Sequence, residues 1–554
     1  MNINPAHCID FYKSGHAEQY PTGTMGIYSN FTPRSDTHAK VSKLFDHKVV
    51  FFGLQGFCKW FLVDLWNEQF FRKDKDVVIN AFKRRMDNAL GKGSVSTDRL
   101  AALHDLGYLP ISIKALPEGS RVNIKVPLFT VINTDAEFFW LTNYIETVLS
   151  NECWKPTTIA TIAFEYRRVM DAFVELTGSS PEFADWQIHD FSMRGVSGVS
   201  DAHSANAGHL LSNYGTDTVV AIDYLENYYF ADSDKELIGG SVPATEHSVM
   251  CAGGDDSEVE TIRRLIEDVY PSGIVSVVSD TWDFWNVITE TAKILKPAII
   301  NRKLNELGQA KVVFRPDSGD PADIICGTTY GVDDLDWKSI IVIENMIGEL
   351  PRTVECKGKY YRIPEHPDMH EELTFTEYEP TPQEKGAVSC LWDTFGGDIT
   401  AKGYRTLSQR VGLIYGDSIT LERQWDILSR LAKKGFSAGN LVFGVGSYTY
   451  QMITRDTFGM AMKATGALIN GEFLELFKDP KTDIGGVKKS AKGLLRVVKE
   501  GNDFVLLDQQ TEQQESLGEL KLVFDNSRLY NTQTLSQIRA RLKDSKALDI
   551  ITLE

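Results

Sequence analysis

The chain has 554 residues, 42% hydrophobic and 24% charged, a balance that excludes disorder and leaves ample length for large cores without disulfides or structural metals. Lys and Arg number 58 against 76 Asp and Glu, a net charge of −18 that repels nucleic-acid phosphates and anionic membranes. Such a surface still admits a small anionic substrate into a local basic pocket. The seven cysteines, Cys8, Cys58, Cys153, Cys251, Cys326, Cys356 and Cys390, are scattered with no CxxC pair. That pattern points to a reducing, cytoplasmic setting and no zinc site. Met1 to Gly15 lacks a secretory apolar core, and no run reaches the roughly 18 apolar residues of a spanning helix.

In chain order, Phe51–Leu65 and Lys75–Leu90 read as helices. Between Leu109 and Asn133, apolar residues alternate and Pro and Gly interrupt, which reads as a small antiparallel sheet. Ala136–Leu149 reads as a helix. From Thr157 onward short apolar runs alternate with helical stretches. Candidate strands are Thr157–Ala160, Gln187–Asp190, Gly215–Asp217, Val242–Thr245, Ile274–Ser279, Lys311–Phe314, Gly412–Tyr415 and Leu441–Gly444. Helical patterns follow several of them, at Ile162–Leu176, Asp201–Leu211, Glu258–Val269, Thr281–Ile294 and Leu421–Lys434. The expected fold class is α/β: a (β/α)8-like barrel over 151–465, with a long irregular polar insertion at about 323–403. Residues 1–150 form a mixed α+β part. The β-like runs in 466–554, Phe504–Asp508 and Leu520–Phe524, are expected to rejoin its sheet.

Polar residues cluster where these strands end. His189-Asp190-Phe191-Ser192-Met193-Arg194-Gly195 ends the second strand, Asp217 the third, and Glu246-His247-Ser248 follows the fourth. Ser276 and Asp280 lie in or just after the fifth, Arg315-Pro316-Asp317-Ser318-Gly319 closes the sixth, Gly416-Asp417-Ser418 the seventh, and Gly444-Val445-Gly446-Ser447 the eighth. In a barrel all strand C-termini open on one face, which carries the active site. The last two Gly-rich turns can offer backbone N–H groups to a phosphate, or serve only as tight turns. Arg194 and Arg315 can clamp a phosphate or a carboxamide oxygen, or form structural ion pairs. Asp280 and Asp317 can hold sugar hydroxyls or a magnesium ion, or cap turns. His247 can act as nucleophile or acid–base group, or be structural. Lys478, Lys488, Lys489 and Lys492 form a basic tract suited to a polyphosphate, or a solvated loop.

The same motifs resemble those of the nicotinamide phosphoribosyltransferases, a family of type II phosphoribosyltransferases. The matching stretches run from Asp10-Phe11-Tyr12-Lys13 through His189-Asp190-Phe191, Gly215-Thr216-Asp217-Thr218 and Glu246-His247-Ser248 to Arg315-Pro316-Asp317-Ser318-Gly319, Thr454-Arg455-Asp456 and Phe477-Lys478-Asp479-Pro480. Trp392-Asp393-Thr394-Phe395-Gly396-Gly397 is similar to bacterial and viral members.

The resemblance implies an enzyme of NAD salvage that makes nicotinamide mononucleotide and pyrophosphate from nicotinamide and phosphoribosyl pyrophosphate. It also implies Mg2+ held mainly by substrate phosphates, and ATP as a helper. It further implies a homodimer with active sites at the interface. Phe191, with Tyr12 of the second subunit, would sandwich the pyridine ring. Asp217 would accept from the carboxamide and Arg315 contact its oxygen, beside Ser276. Asp317, Gly416, Asp417, Gly446 and Ser447 would hold the ribose and its 5′-phosphate. Arg194 and Lys478, with Arg455 and Lys463 across the interface, would serve the pyrophosphate or ATP phosphates. His247 would be phosphorylated by ATP, oriented by Asp280 or another loop carboxylate. Three departures stand out: Ser447 where a second Gly is usual, Ala461 in place of a Ser, and the long 323–403 region. The alternatives are a nicotinate phosphoribosyltransferase and a non-catalytic nucleotide-binding dimer on the same scaffold.

Overall fold

The computed structural model describes residues 3–363, 375–416, 418–477, 491–545 and 550–552. Its centre is a parallel sheet of short strands: β1 (Ile188–Asp190), β2 (Gly215–Thr216), β3 (Gly273–Val278), β4 (Ala310–Arg315), β5 (Val411–Tyr415) and β6 (Leu441–Val445). Their order is β2-β1-β6-β5-β4-β3. The two edges are joined by one segment: Gly240 bridges Gly215 and Ala244 bridges Ser276, both in parallel. Thr216 N donates to Gly240 O at 3.0 Å and Ser276 N to Pro243 O at 2.8 Å, so the sheet curls into a ring. Val275, Val277, Val312, Phe314, Leu413, Phe443 and Val445 are buried in the core it shares with its helices.

Two expected strands differ. Val242–Thr245 makes only the bridge just described. Thr157–Ala160 lies within a 32-residue helix, Glu146–Thr177. The β-branched run Thr-Thr-Ile suggests a strand by propensity, but burial on nearly every side of this helix overrides it. The hydroxyls are absorbed locally. Thr158 donates to Trp154 O at 2.8 Å and Thr161 to Thr157 O at 2.7 Å, while Thr157 reaches Phe52 O at 2.9 Å.

A second, antiparallel sheet gathers distant parts of the chain. Its order is Glu472–Glu475, Ala461–Ile469, Thr24–Thr32, Phe129–Asn133, Ile111–Ala115, Lys521–Asp525, Arg528–Leu529. Strand Lys521–Asp525 thus adds beside Ile111–Ala115, whereas Asp503–Gln510 pairs with Leu494–Glu500 in a separate hairpin. Phe31 stacks on Phe129 at 5.0 Å across the sheet's buried face.

The 323–403 stretch is more regular than its sequence suggests. Tyr330–Val332, Thr353–Cys356, Lys359–Arg362 and Thr376–Glu377 form a four-stranded sheet packed on helix Trp337–Ile347, with a small core of Val332, Ile340, Ile343, Val354, Cys356 and Ile363. Lys434 anchors it to the barrel, donating to Cys326 O at 2.6 Å and lying 3.7 Å from Glu355. Burial of that ammonium, partly offset by Glu355, lowers its pKa to about 8.

Candidate active site

The C-terminal ends of β1 and β2 carry the most tightly held group. His189 Nε2 lies 2.9 Å from Asp217 Oδ1, and Ser241 Oγ donates to the same oxygen at 2.6 Å. Burial opposes ionisation of Asp217, but the hydrogen bonds from His189 and Ser241 and the nearby Arg315 charge outweigh it. The carboxyl is held below its usual range. Phe191 tilts against the His189 ring at 4.4 Å, and its N–H donates to Val445 O at 2.9 Å. Beneath it Asp190 is fully buried and accepts from Ser192 N (2.9 Å), Ser192 Oγ (2.7 Å) and Asn206 Nδ2 (2.8 Å). These bonds fix the turn that follows β1 and carries Phe191.

The β3 and β4 ends form the opposite wall. Asp280 Oδ1 lies 3.3 Å from His247 Nε2, while its Oδ2 accepts from Asp317 N at 2.8 Å and Ser318 Oγ at 2.7 Å. Burial again opposes ionisation, and those bonds together with His247 overcome it, lowering the Asp280 pKa. His247 heads helix His247–Gly253 and its side chain is about half exposed (47%). Glu246 accepts from Ser248, so its carboxylate is engaged elsewhere. Asp280 therefore orients the imidazole.

On this second wall two buried polar atoms, Ser276 Oγ and Arg315 Nε, have no hydrogen-bond partner among the described residues. Buried donors left open are rare, and a mouth that holds two offers them to a ligand. At the β5 end Gly416 passes close to Asp317: a Cβ there would stand 2.6 Å from Oδ1. At the β6 end Ser447 takes the place of the expected second Gly without strain. Its neighbour Gly446 has φ −101°, and Ser447 packs against Gly195, whose own Cβ would fall 2.2 Å from Ser447 Oγ. The loop carrying Arg194 and the turn after β6 are therefore pressed together. Among the described residues no group of three or more His, Cys, Asp and Glu side chains is placed to hold a metal. Asp417, Lys478, Lys488 and Lys489 lie outside the described residues.

Tyr12, Arg455 and Lys463 gather at a different place. Tyr12 stands on the turn Phe11–Gly15, 62% exposed, beside Lys13, which pairs with Glu146 at 2.5 Å. Lys463 projects from the antiparallel sheet. Its pKa is lowered by burial first and by Arg34, Arg455 and Lys13, with Glu146 opposing. The Glu146 charge likewise reaches Tyr12. The three residues share one basic neighbourhood, and no described contact joins it to Phe191, Asp217 or His247.

A sequence profile of the nicotinate phosphoribosyltransferase (NAPRTase) family matches residues 186–528, and that of the nicotinamide phosphoribosyltransferase N-terminal domain matches residues 4–99. A nicotinamide phosphoribosyltransferase of Acinetobacter baylyi is 55% identical over 98% of this chain and 97% of its own length. The enzyme of that name from Xanthomonas campestris pv. campestris is 29% identical over 96% of both. This chain belongs to the nicotinate phosphoribosyltransferase family, among its nicotinamide phosphoribosyltransferases.

In overall fold it is also similar to a nicotinate-nucleotide pyrophosphorylase from Pyrococcus furiosus, with TM-score 0.50, 12% identity, and coverage of 98% of this chain and 95% of that one. As a phosphoribosyltransferase the chain has to hold a flat ring, a ribose with its 5′-phosphate, and a pyrophosphate. Three contributors stand in the sequence motifs without an evident role: His189 and Ser241, the donors to Asp217, and Ser318, a donor to Asp280. Only the meeting of β1, β2 and the 240–245 segment, and of the β3 and β4 loops, reveals them.

Proposed function

We propose that this enzyme joins nicotinamide to phosphoribosyl pyrophosphate, forming nicotinamide mononucleotide and pyrophosphate in NAD salvage. The observation that carries the choice of ring is Asp217, held ionised by His189 and Ser241 beside Phe191. An ionised acceptor attracts an amide N–H and repels the carboxylate of nicotinate. Arg315 supplies the forked donor for the carboxamide oxygen, and the Phe191 face supports the ring. In the transfer the ring nitrogen attacks the ribose C1, the C1–O bond breaks, and pyrophosphate departs with its electron pair. Arg194 stands at this mouth to receive charge as it develops. Magnesium neutralises departing phosphate when bound. Asp280 gives both carboxylate oxygens to protein donors, so the ion's ligands would come mainly from substrate phosphates, with Asp317 beside Gly416 as the protein's contribution.

His247 serves ATP. Its imidazole, oriented by Asp280, attacks the γ-phosphorus; an N–P bond forms, the bond to the β-bridging oxygen breaks, and ADP leaves. Tyr12, Arg455 and Lys463 serve the site of a second copy in a homodimer. Their separate grouping on an exposed face supports that reading, as does the exposure of Phe11, Met193, Tyr448 and Met452. We place the enzyme in the cytoplasm; no helix among the described residues is long and apolar enough to cross a membrane. The deciding experiment measures pyrophosphate release with nicotinamide and with nicotinate. A higher kcat/KM for nicotinamide is expected. A preference for nicotinate would make the enzyme the acid-using relative, and no release with either would point to the non-catalytic dimer.

A further inference from the structure

A lysine outside every motif above ties together two loops of the barrel mouth. Lys155 lies on the helix Glu146–Thr177, one residue before Pro156, and is only 6% exposed. Its ammonium donates to Asp201 Oδ2 at 2.5 Å and to Gln451 Oε1 at 2.6 Å. Asp201 belongs to helix Val199–Ser204, between β1 and β2, and the same Oδ2 accepts from Ser197 N at 2.9 Å. Gln451 follows helix Ser447–Tyr450, which leaves β6, and its Nε2 donates to Ser197 Oγ at 2.8 Å. The four residues close a ring: Lys155 to Asp201, Asp201 to Ser197, Ser197 to Gln451, and Gln451 back to Lys155.

Every member has its donors and acceptors matched. Lys155 can only donate and Asp201 only accept, while the Gln451 amide gives its oxygen to the ammonium and its N–H to the hydroxyl. A buried ammonium needs an opposite charge, and Asp201 supplies it. The pair is neutral as a whole, so what it contributes to the mouth is shape more than field. It joins the two arms of the phosphate side. Arg194 stands three residues before Ser197, on a stretch, Met193–Gly195, that is exposed to solvent. Ser447 stands four residues before Gln451, and Gln451 N donates to Ser447 O at 2.7 Å. The arms meet where Gly195 presses on Ser447, a contact with no room for a side chain on Gly195.

We propose that Lys155 is a positioning residue for phosphoribosyl transfer. It latches the Arg194 loop to the Ser447 turn, so that both present one fixed geometry to the phosphate groups of phosphoribosyl pyrophosphate. The step rests on the reading of Arg194 and Ser447 given above. Groups on two separate loops grip one flexible anion best when their spacing is set before it arrives, because ordering them on binding costs entropy. The ring side of the mouth is held by other bonds. Asp217 is fixed by His189 and Ser241, and Phe191 by Val445 O. The latch therefore acts on the phosphates and leaves the pyridine ring alone.

Steady-state kinetics of full-length Lys155→Met, Gln451→Leu and the double variant test this. Each single change should raise KM for phosphoribosyl pyrophosphate about tenfold and leave KM for nicotinamide within about twofold. The double variant should be no worse than the more severe single one, since either cut opens the same ring. Asp201→Asn should also weaken the substrate. A normal KM in Gln451→Leu, multiplying effects in the double variant, or tighter binding in Asp201→Asn would make Lys155 a direct phosphate ligand and overturn the latch. An equal rise in both KM values would reduce Lys155 to a general structural role. Hydrogen exchange at the Ser197 amide gives a readout independent of turnover: it should quicken in Lys155→Met and Gln451→Leu alike, and unchanged exchange would overturn the proposal. If the wild type forms no nicotinamide mononucleotide, the reading of function fails, and the exchange rates still decide whether Lys155 holds the loop.

Discussion

The two walls of the barrel mouth are built on opposite plans. At β1 and β2, Asp190 is sealed with three donors, and Asp217 carries two donors on one oxygen. At β3 and β4, His247 is half exposed on a short helix and meets Asp280 at a long 3.3 Å. A neutral ring needs fixed polarity and shape, because its discrimination rests on one or two hydrogen bonds. A phosphoryl acceptor needs access and room to move. Under the proposed function the first, rigid wall would select the ring and the second, loose wall would answer to ATP.

The largest effect should come from the loose wall. His247→Ala is expected to lower ATP hydrolysis and ATP stimulation by more than about a hundredfold, while a slow ATP-independent formation of nicotinamide mononucleotide persists. Acid-labile, base-stable 32P incorporation from γ-labelled ATP, measured beside product formation, checks this. Label retained in the Ala variant would remove the distinction between the walls.

On the rigid wall, Phe191→Ala should weaken nicotinamide binding by about 1–3 kcal/mol, the scale of one lost aromatic face. Tyr12→Ala should match it. Mixing the two variants and letting subunits exchange should restore part of the wild-type activity, because each brings what the other lacks. No recovery after exchange would show that the basic neighbourhood around Glu146 does not complete the site.

A smaller change is expected for Asp217→Asn, roughly a tenfold narrowing of the nicotinamide-to-nicotinate ratio of kcat/KM as repulsion of the carboxylate disappears. The wild-type preference should also persist into mildly acid solution. Because the folded pKa of Asp217 is depressed, its charge is kept above the ordinary carboxylate range and lost only as pH falls through the lower folded value. An unchanged ratio in the Asn variant would place selectivity elsewhere.

The smallest effect concerns stability. Glu258 titrates higher in the folded chain than in the unfolded one, so its favourable contribution is present below about pH 4.5 and is lost as pH rises through about 7. Glu258→Gln should therefore leave the melting temperature unchanged near pH 4.5 and gain about 1–2 kcal/mol at pH 8. Equal melting at both pH values would mean that the carboxyl is better solvated than its surroundings suggest.

Much of this molecule can be read from its residues in order. Six of the eight expected strands lie where short apolar runs end in polar clusters, because a strand buried on both faces needs a continuous apolar run and its loop does not. The clusters after β1, β3 and β4 announce an active face for the same reason. Thr157–Ala160 misleads because local β-propensity is weaker than the burial that a long central helix provides. The 323–403 stretch hides a small sheet, since strands of two to four residues leave hardly any period to detect. What only the tertiary structure decides is which polar groups meet. His189 and Asp217 stand 28 residues apart, and His247 and Asp280 stand 33 apart. The 240–245 segment carries Ser241 to Asp217 by bridging two sheet edges. Side-chain hydrogen bonds act over about 3 Å, and no spacing along the chain encodes a distance across a barrel mouth until the ring has closed.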